Sequence, residues 1–300
     1  MSSESLDLQL RAEIMEFLRH ASNDQEHPIA KSSLLYDFKF NGAPFKIIDH
    51  QGGIRKPTGF TRAISLTTYE SNEKFGYADG IGPDGFIRYS WQGESFDDYR
   101  NKAVRQLIGT DLGVPWFIKV SDREFQPVFP LRVVGEEPEN KQFVLAFEDI
   151  APIFQSGSPI ETALRAYVTR QTISRVHQRF FRSQVLSAYN DHCAICKLHH
   201  RKLLDAAHII PDSGGGEPSV VNGLSLCKIH HQAFDENMLG ITPDYLVKIR
   251  KDILDEDDGP MLEHGLKRLH NGKLMYLPSS NKLRPSRDLL SSRYNEFLSA

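Results

Sequence analysis

The chain has 300 residues, 40% hydrophobic and 25% charged, with 36 Lys+Arg against 39 Asp+Glu. That composition excludes disordered, collagenous and coiled-coil proteins, and the length suggests about two domains, each with its own core. With a net charge of −3, any basic footprint for nucleic acid has to be local.

Residues 5–20 set Leu, Ile and Phe at helical spacing between Arg and Glu, which predicts an amphipathic helix. Such an acidic, amphipathic start has the character of neither a secretory signal nor a transit peptide. No run approaches the roughly 18 apolar residues of a membrane span, and three cysteines cannot build a disulfide framework. The expectation is a cytoplasmic protein without a membrane partner.

From about 33 to 150 the pattern changes to short β-like runs at Phe45–Asp49, Ala63–Thr68, Phe86–Trp91, Trp116–Val120, Val128–Val134 and Phe143–Phe147. Turn chemistry separates them, as in Gln51-Gly-Gly53, Asp79-Gly80, Gly82-Pro-Asp-Gly85 and Gly135-Glu-Glu-Pro138. Only 97–109 looks helical, with Ala103, Val104 and Leu107 on one side. Residues 1–150 therefore read as a β-rich domain with an N-terminal helix, and 151–161, rich in Pro, Ser and Gly, as a linker.

The second domain is expected over 162–300 and opens on a helix. Between Thr162 and Asn190 there is no acid and no lysine, but there are Arg165, Arg170, Arg175, Arg179 and Arg182. Arg175, Arg179 and Arg182 form a stripe suited to DNA phosphates; a solvated helix face is the plainer alternative. The last fifty residues hold the acidic turn Asp255–Pro260 and a basic polar tail that reads as a packing extension.

All the cysteines fall in this domain. Cys193-Ala-Ile-Cys196 is a CxxC knuckle and Cys227-Lys-Ile-His230 a CxxH, so two turns can each present two ligands to one tetrahedral ion. A redox CxxC normally follows the end of a strand, whereas Tyr-Asn-Asp-His precedes this one. Structural Zn2+ is the expectation. Between the knuckles, His208 ends an apolar run just before Pro211 and a Gly-rich loop. After them, His231 and Asp235 stand four apart on a predicted helix, projecting from one face as a partial shell for a divalent cation.

The ordered set Cys193, Cys196, Ala207-His208-Ile-Ile-Pro211, Asn222-Gly223, Cys227, His230-His231 and Phe234-Asp235 resembles the HNH, or ββα-metal, nucleases, most closely those of bacterial predicted restriction endonucleases. The resemblance implies that His208 is the general base, that Asn222 holds the base-bearing loop, and that His231 and Asp235 ligate a catalytic Mg2+ or Mn2+. It leaves two alternatives open. Many HNH proteins carry an Asp or His ligand where this chain has Ala207, so Asp205 or Asp212 could contribute instead; and His231 could replace His230 on the zinc.

In the first domain, Tyr77-Ala-Asp79-Gly, Pro83-Asp84-Gly-Phe-Ile-Arg-Tyr89-Ser-Trp91 and Arg100-Asn-Lys-Ala resemble SRA-type readers of modified cytosine. Tyr77, Tyr89 and Trp91 would then stack a flipped base, and Asp79 or Asp84 would accept from its exocyclic amine; core or surface packing is the alternative for Tyr89 and Trp91. The fold expected is α+β, an SRA-like barrel followed by a zinc-stapled ββα-metal domain. The function implied is a modification-dependent restriction endonuclease acting on double-stranded modified DNA as a homodimer. Two alternatives remain: a first domain that reads phosphorothioate or plain sequence, and a zinc module that only binds.

Overall fold

A computed structural model describes residues 3–50, 52–69, 79–82, 86–148 and 159–300, the backbone alone for 3, 81, 159–173 and 212. It divides into two compact units, Met1–Arg179 and Phe180–Ala300, with the break inside one continuous helix. Most of the expected linker, residues 151–158, lies outside the described residues. Among those described, no helix is long and apolar enough to cross a membrane.

The first unit runs α1 (Ser3–Ser22), β1 (Ile29–Ala30), α2 (Lys31–Tyr36), β2 (Lys39–Phe40), β3 (Ala43–Pro44), β4 (Ile54–Arg55), β5 (Ser65–Thr68), β6 (Gly80–Ile81), β7 (Ile87–Ser90), α3 (Tyr99–Arg105), β8 (Val114–Ser121), β9 (Glu124–Glu137) and β10 (Gln142–Phe147). Its main sheet has the order β4-β5-β8-β9-β10-β7-β6, with β1 on β9, and curls into a half barrel. Neighbours are antiparallel except β5 and β8, which pair in parallel from Leu66↔Trp116 to Thr68↔Ile118.

Both faces of this sheet are covered. Trp116, Val128, Leu131 and Phe143 join Ala103 and Val104 of α3, and Leu107 just after it, in one core. Phe117, Phe125 and Phe129 point the other way, against Leu10, Ile14 and Leu18 of α1. Alternation along a strand sends neighbours to opposite faces, so a strand covered on both reads as a continuous apolar run. The same arrangement buries Arg11, whose Nε donates to Asp7 at 2.9 Å and whose Nη1 and Nη2 donate to the carbonyls of Gly113 and Ala63 at 2.9 and 2.7 Å. Burial pulls the Arg11 pKa down and the Asp7 charge opposes that.

One predicted strand is absent. Phe45–Asp49 is irregular, although Ile47 and Ile48 are both fully buried. Its backbone is satisfied piecemeal: Ile47 N–H donates to Leu34 O at 2.9 Å, and Ile47 O accepts from Ser65 Oγ at 2.5 Å.

Helix α4 (Pro159–Ala188) leads into the second unit, which continues with β11 (Leu204–His208), β12 (Gly223–Cys227), α5 (Lys228–Asp235), β13 (Leu239–Ile241), β14 (Val247–Ile249), α6 (Lys251–Asp255), α7 (Pro260–Gly265) and α8 (Arg287–Ser299). β11 and β12 form an antiparallel pair from Leu204↔Cys227 to His208↔Gly223, and α5 follows directly. Phe181 and Val185 of α4 and Tyr189 just past its end, four apart, bury against this ββα element with Leu204, Leu224 and Phe234. The C-terminal stretch is structural: Leu290 of α8 is fully buried, and a Cβ on Gly240 would come within 2.6 Å of the Phe297 ring.

Candidate metal centre and active site

The two knuckles converge. Cys193, Cys196, Cys227 and His230 place their ligand atoms within 4.8 Å of one another. His230 Nδ1 lies 3.5 Å from Cys193 Sγ and 3.2 Å from Cys227 Sγ. A tetrahedral zinc, with Zn–S near 2.3 Å and Zn–N near 2.0 Å, needs donors about 3.5–4 Å apart, so the set fits that ion. His231, the other candidate, is not part of the cluster. The His230 Nε2 is 2.8 Å from Gly265 O; a proton there fixes the tautomer and turns the Nδ1 lone pair toward the sulfurs.

The charges agree with a cation site. Hydrogen bonds from Cys193 and Cys196 hold the Cys227 thiol far below the ordinary thiol range, while sharing with Cys196 and Cys227 drives Cys193 up. Burial alone would depress His230, but its bonds to Cys193 and Cys227 raise it to about 10. One thiolate beside one imidazolium is the state this pocket adopts with protons in place of metal.

His208 closes β11 opposite Gly223. Its ring stacks on Phe181, centroids 3.9 Å apart and planes 11° from parallel. Gly223 is required by the same packing, since a Cβ there would sit 2.4 Å from Val185 Cγ2 and 3.0 Å from Phe181 Cζ. The loop after His208 is clamped by Asn222, which is 1% exposed. Asn222 Oδ1 accepts from Ile210 N at 2.9 Å, and its Nδ2 donates to Ile210 O at 3.0 Å and Glu217 O at 2.9 Å. Gly216 makes the closure possible: a Cβ would fall 1.9 Å from Ile210 O. Phe181 and Gly216 carried no expected role; the aromatic pair Phe180-Phe181, set between Arg179 and Arg182, was the available signal.

On α5, His231 Nε2 is 3.3 Å from Asp235 Oδ2, close to the separation of about 3 Å between two ligands at right angles around a cation 2.1 Å away. Among the described residues no third His, Cys or carboxylate completes a ligand group with them. Asp205 faces the other ring nitrogen, its Oδ2 3.7 Å from His231 Nδ1. Its oxygens already meet Arg182 Nε at 3.2 Å and Lys228 Nζ. Burial would raise Asp205, but His231, Lys228 and Arg182 together hold it well below the usual carboxylate range. Asp205 thus faces His231 while its charge is engaged by two cations. The Asp212 side chain lies outside the described set.

The arginine stripe is divided. Arg175 is exposed. Arg179 Nη2 is 3.1 Å from Glu26 Oε1. Arg182 is committed to Asp205 and, through Nη2, to the carbonyls of Arg201 and Leu204 at 3.2 and 2.8 Å. Two of the three expected phosphate contacts thus have internal partners.

Of the residues expected to line the base pocket, Asp79, Tyr89 and Trp91 are among those described. Tyr77 and Asp84 lie outside the described residues. Tyr89 corrects the stacking expectation: it is 3% exposed, donates to Thr67 O at 3.2 Å, and belongs to the core. Burial pushes its phenol well above its usual range. Trp91 is half-buried, edge-on to Phe96 at 5.6 Å. Asp79 accepts from Thr68 Oγ1 at 2.6 Å and Ser90 N at 2.7 Å, and Thr68 Oγ1 accepts from Trp116 Nε1 at 2.9 Å. Burial raises the Asp79 pKa against those hydrogen bonds.

Residues 193–242 match the family model described as HNH endonuclease. No curated protein matches the chain. Among solved structures, the chain is similar to a modification dependent TagI restriction endonuclease, at 16% identity over 82% of this chain and 85% of that one, with a TM-score of 0.30. It is also similar to the type IV phosphorothioation-dependent restriction endonuclease ScoMcrA, at 12% identity over 61% of this chain and 52% of that one, with a TM-score of 0.24. TM-scores this low establish no shared fold.

Proposed function

Because the chain carries an HNH DNA endonuclease domain at residues 193–242, we propose that it is a modification-dependent restriction endonuclease cutting double-stranded DNA that contains modified cytosine. The observation that carries the nuclease chemistry is the clamp of Asn222 on the loop behind His208, with the ring of His208 held flat on Phe181. A fixed imidazole at a strand end takes the proton from the attacking water. Asn222 keeps that ring at one depth relative to the phosphate by tying down Ile210 and Glu217. His231 and Asp235 would hold Mg2+ or Mn2+, and Asp205 orients His231 from its Nδ1 side. A divalent ion bound there supplies the Lewis acid that offsets charge on the scissile phosphate and the leaving oxygen. Cys193, Cys196, Cys227 and His230 would hold a structural zinc.

Each such site has one base and one divalent ion, so it cuts one strand at a time, and a homodimer is the simplest route to a double-strand break. Asp79, Trp91 and Arg175 remain the candidates for reading the base and meeting phosphate. A second reading keeps the nuclease and gives the first unit another target, phosphorothioate or plain sequence; the burial of Tyr89 favours it. Cleavage of unmodified, 5-methylcytosine, 5-hydroxymethylcytosine and phosphorothioate duplexes, each with Mg2+, Mn2+ or EDTA, decides. Cutting of modified cytosine alone supports the first reading, while cutting of phosphorothioate or all duplexes supports the second. No cutting in any arm defeats both.

A further inference from the structure

Acidic residues disappear from the tail of the second unit. From Lys267 to Arg287 there is no Asp or Glu, while Lys267, Arg268, Lys273, Lys282, Arg284 and Arg287 all occur, in a chain whose net charge is −3. The fold gathers the last three around a groove of about 460 Å³ that Tyr245 and Val221 also line. Val221 precedes Asn222, and its carbonyl accepts from Ser286 N at 2.9 Å, so the groove shares a wall with the clamped loop.

The groove is built rather than incidental. Tyr245 Oη donates to Pro285 O at 2.9 Å, and Arg284 Nε to Pro278 O at 3.1 Å, which fixes the backbone around it. The Arg287 guanidinium lies over the Tyr245 ring, 5.4 Å from its centroid, and meets Asp244 at 3.0 Å. That ion pair is open to water on both sides, the side chains being 62% and 76% exposed, so it contributes little and exchanges readily for a phosphate. Lys282 is exposed as well. Arg179 and Arg182 of α4 also have carboxylate partners, but those pairs are less exposed.

We infer that this groove docks the sugar-phosphate backbone of the DNA being cut, with Lys282 and Arg287 contacting phosphates beside the catalytic loop. The inference rests on the nuclease reading above. Arginine offers a planar fork to phosphate oxygens and lysine a point charge, and such contacts set register on a duplex without reading its sequence.

The test uses the full chain carrying His208→Ala, so that DNA is bound without being cut, with and without Lys282→Gln and Arg287→Gln together. Fluorescence anisotropy with a labelled duplex is recorded over a series of salt concentrations, and zinc content checks folding. The double change is expected to weaken binding on the order of tenfold near 0.1 M salt and to flatten the log Kd against log salt line by about 1 for each phosphate no longer neutralised. Arg268→Gln, in the same acid-free stretch but away from the groove, leaves both unchanged. An unaltered slope and affinity in the double variant overturn the inference. Cleavage by the chain with His208 intact tests the nuclease reading separately. A chain that cuts while the double variant keeps its slope sinks only the groove; a chain that cuts nothing while the double variant binds weakly sinks only the nuclease.

Discussion

Two carboxylates, one in each unit, respond to burial in opposite ways. In the first, Asp79 sits in a hydrogen-bonded pocket with no cation against it, and burial raises its pKa. In the second, Asp205 is less enclosed, and Arg182, Lys228 and His231 around it keep its carboxyl ionised far into acid. The sheet unit uses its buried polar groups to satisfy backbone and close a core. In the HNH unit Asp205 faces the His231 ring while Arg182 and Lys228 answer its charge. Stability and chemistry are thus separable by site, and that separation can be attacked from either end.

The largest blow falls on the knuckles. Cys227→Ser should unfold the second unit, because apparent zinc binding of about 10–16 kcal/mol is folding free energy in such modules. Calorimetry should lose the transition of that unit and keep the one from the sheet. His230→Ala should lose zinc, whereas His231→Ala should keep it; elemental analysis showing the reverse would exchange the two roles. A single lost transition covering both units would end the claim that they are separable.

Next in size is His208→Ala, expected to slow cleavage by about 10²–10⁴-fold, the contribution of a general base, with zinc content and melting temperature close to wild type. A labelled duplex followed on a gel measures it. Residual cutting near the wild-type rate removes His208 from the mechanism.

Arg11→Ala is the counterpart in the sheet unit. It leaves the buried Asp7 with only the longer contact to Arg62, at 3.5 Å, and strands the carbonyls of Ala63 and Gly113. The cost should be about 3–5 kcal/mol, seen as an earlier urea transition for the first unit alone. A shift of the second unit by as much would mean the two cores are coupled.

The smallest effect is the most diagnostic. Asp79 has a folded pKa above its unfolded value, so its contribution is most favourable below about pH 3.9 and is lost as pH rises through the folded pKa. Asp205 is the reverse: its contribution is present above that pH and is lost only as pH falls through the depressed folded value. Relative to Asp79→Asn, wild type should therefore lose stability as pH rises above about 4, while relative to Asp205→Asn it should gain over the acid range. Denaturant midpoints at a few pH values suffice, and parallel curves for either pair would reject the assignment of that carboxylate.

What could be read in advance follows the same division. The zinc set was legible because one ion demands two pairs at fixed short spacing, and His208, Asn222 and His231 stand at fixed offsets from it. Ser65–Thr68, Ile87–Ser90 and the long pair of Val114–Ser121 with Glu124–Glu137 were legible from β-branched and aromatic runs, although β9 extends well past the predicted 128–134. Ile47 and Ile48 misled, since adjacent buried residues look the same in a strand covered on both faces and in an irregular segment. Partners distant in sequence were invisible: Gly265 on His230 is 35 residues away, and Glu26 on Arg179 is 153. A charge stripe says nothing about which of its members the fold has already engaged.

Asn222 carries a last consequence, for the ageing of the protein. Asn followed by Gly is the pairing most prone to lose ammonia, because the next backbone nitrogen, unhindered by a side chain, attacks the side-chain carbonyl. Here Gly223 is imposed by the packing of Phe181 and Val185, so the chain cannot replace it with a safer neighbour. The same three hydrogen bonds that hold the loop keep the Asn222 carboxamide turned toward Ile210 and Glu217 and away from the Gly223 nitrogen. The clamp is therefore also a preservative: each opening of the 209–217 loop exposes a chemically fragile bond at the centre of the site, and the lifetime of the active enzyme is set by how seldom that loop lets go.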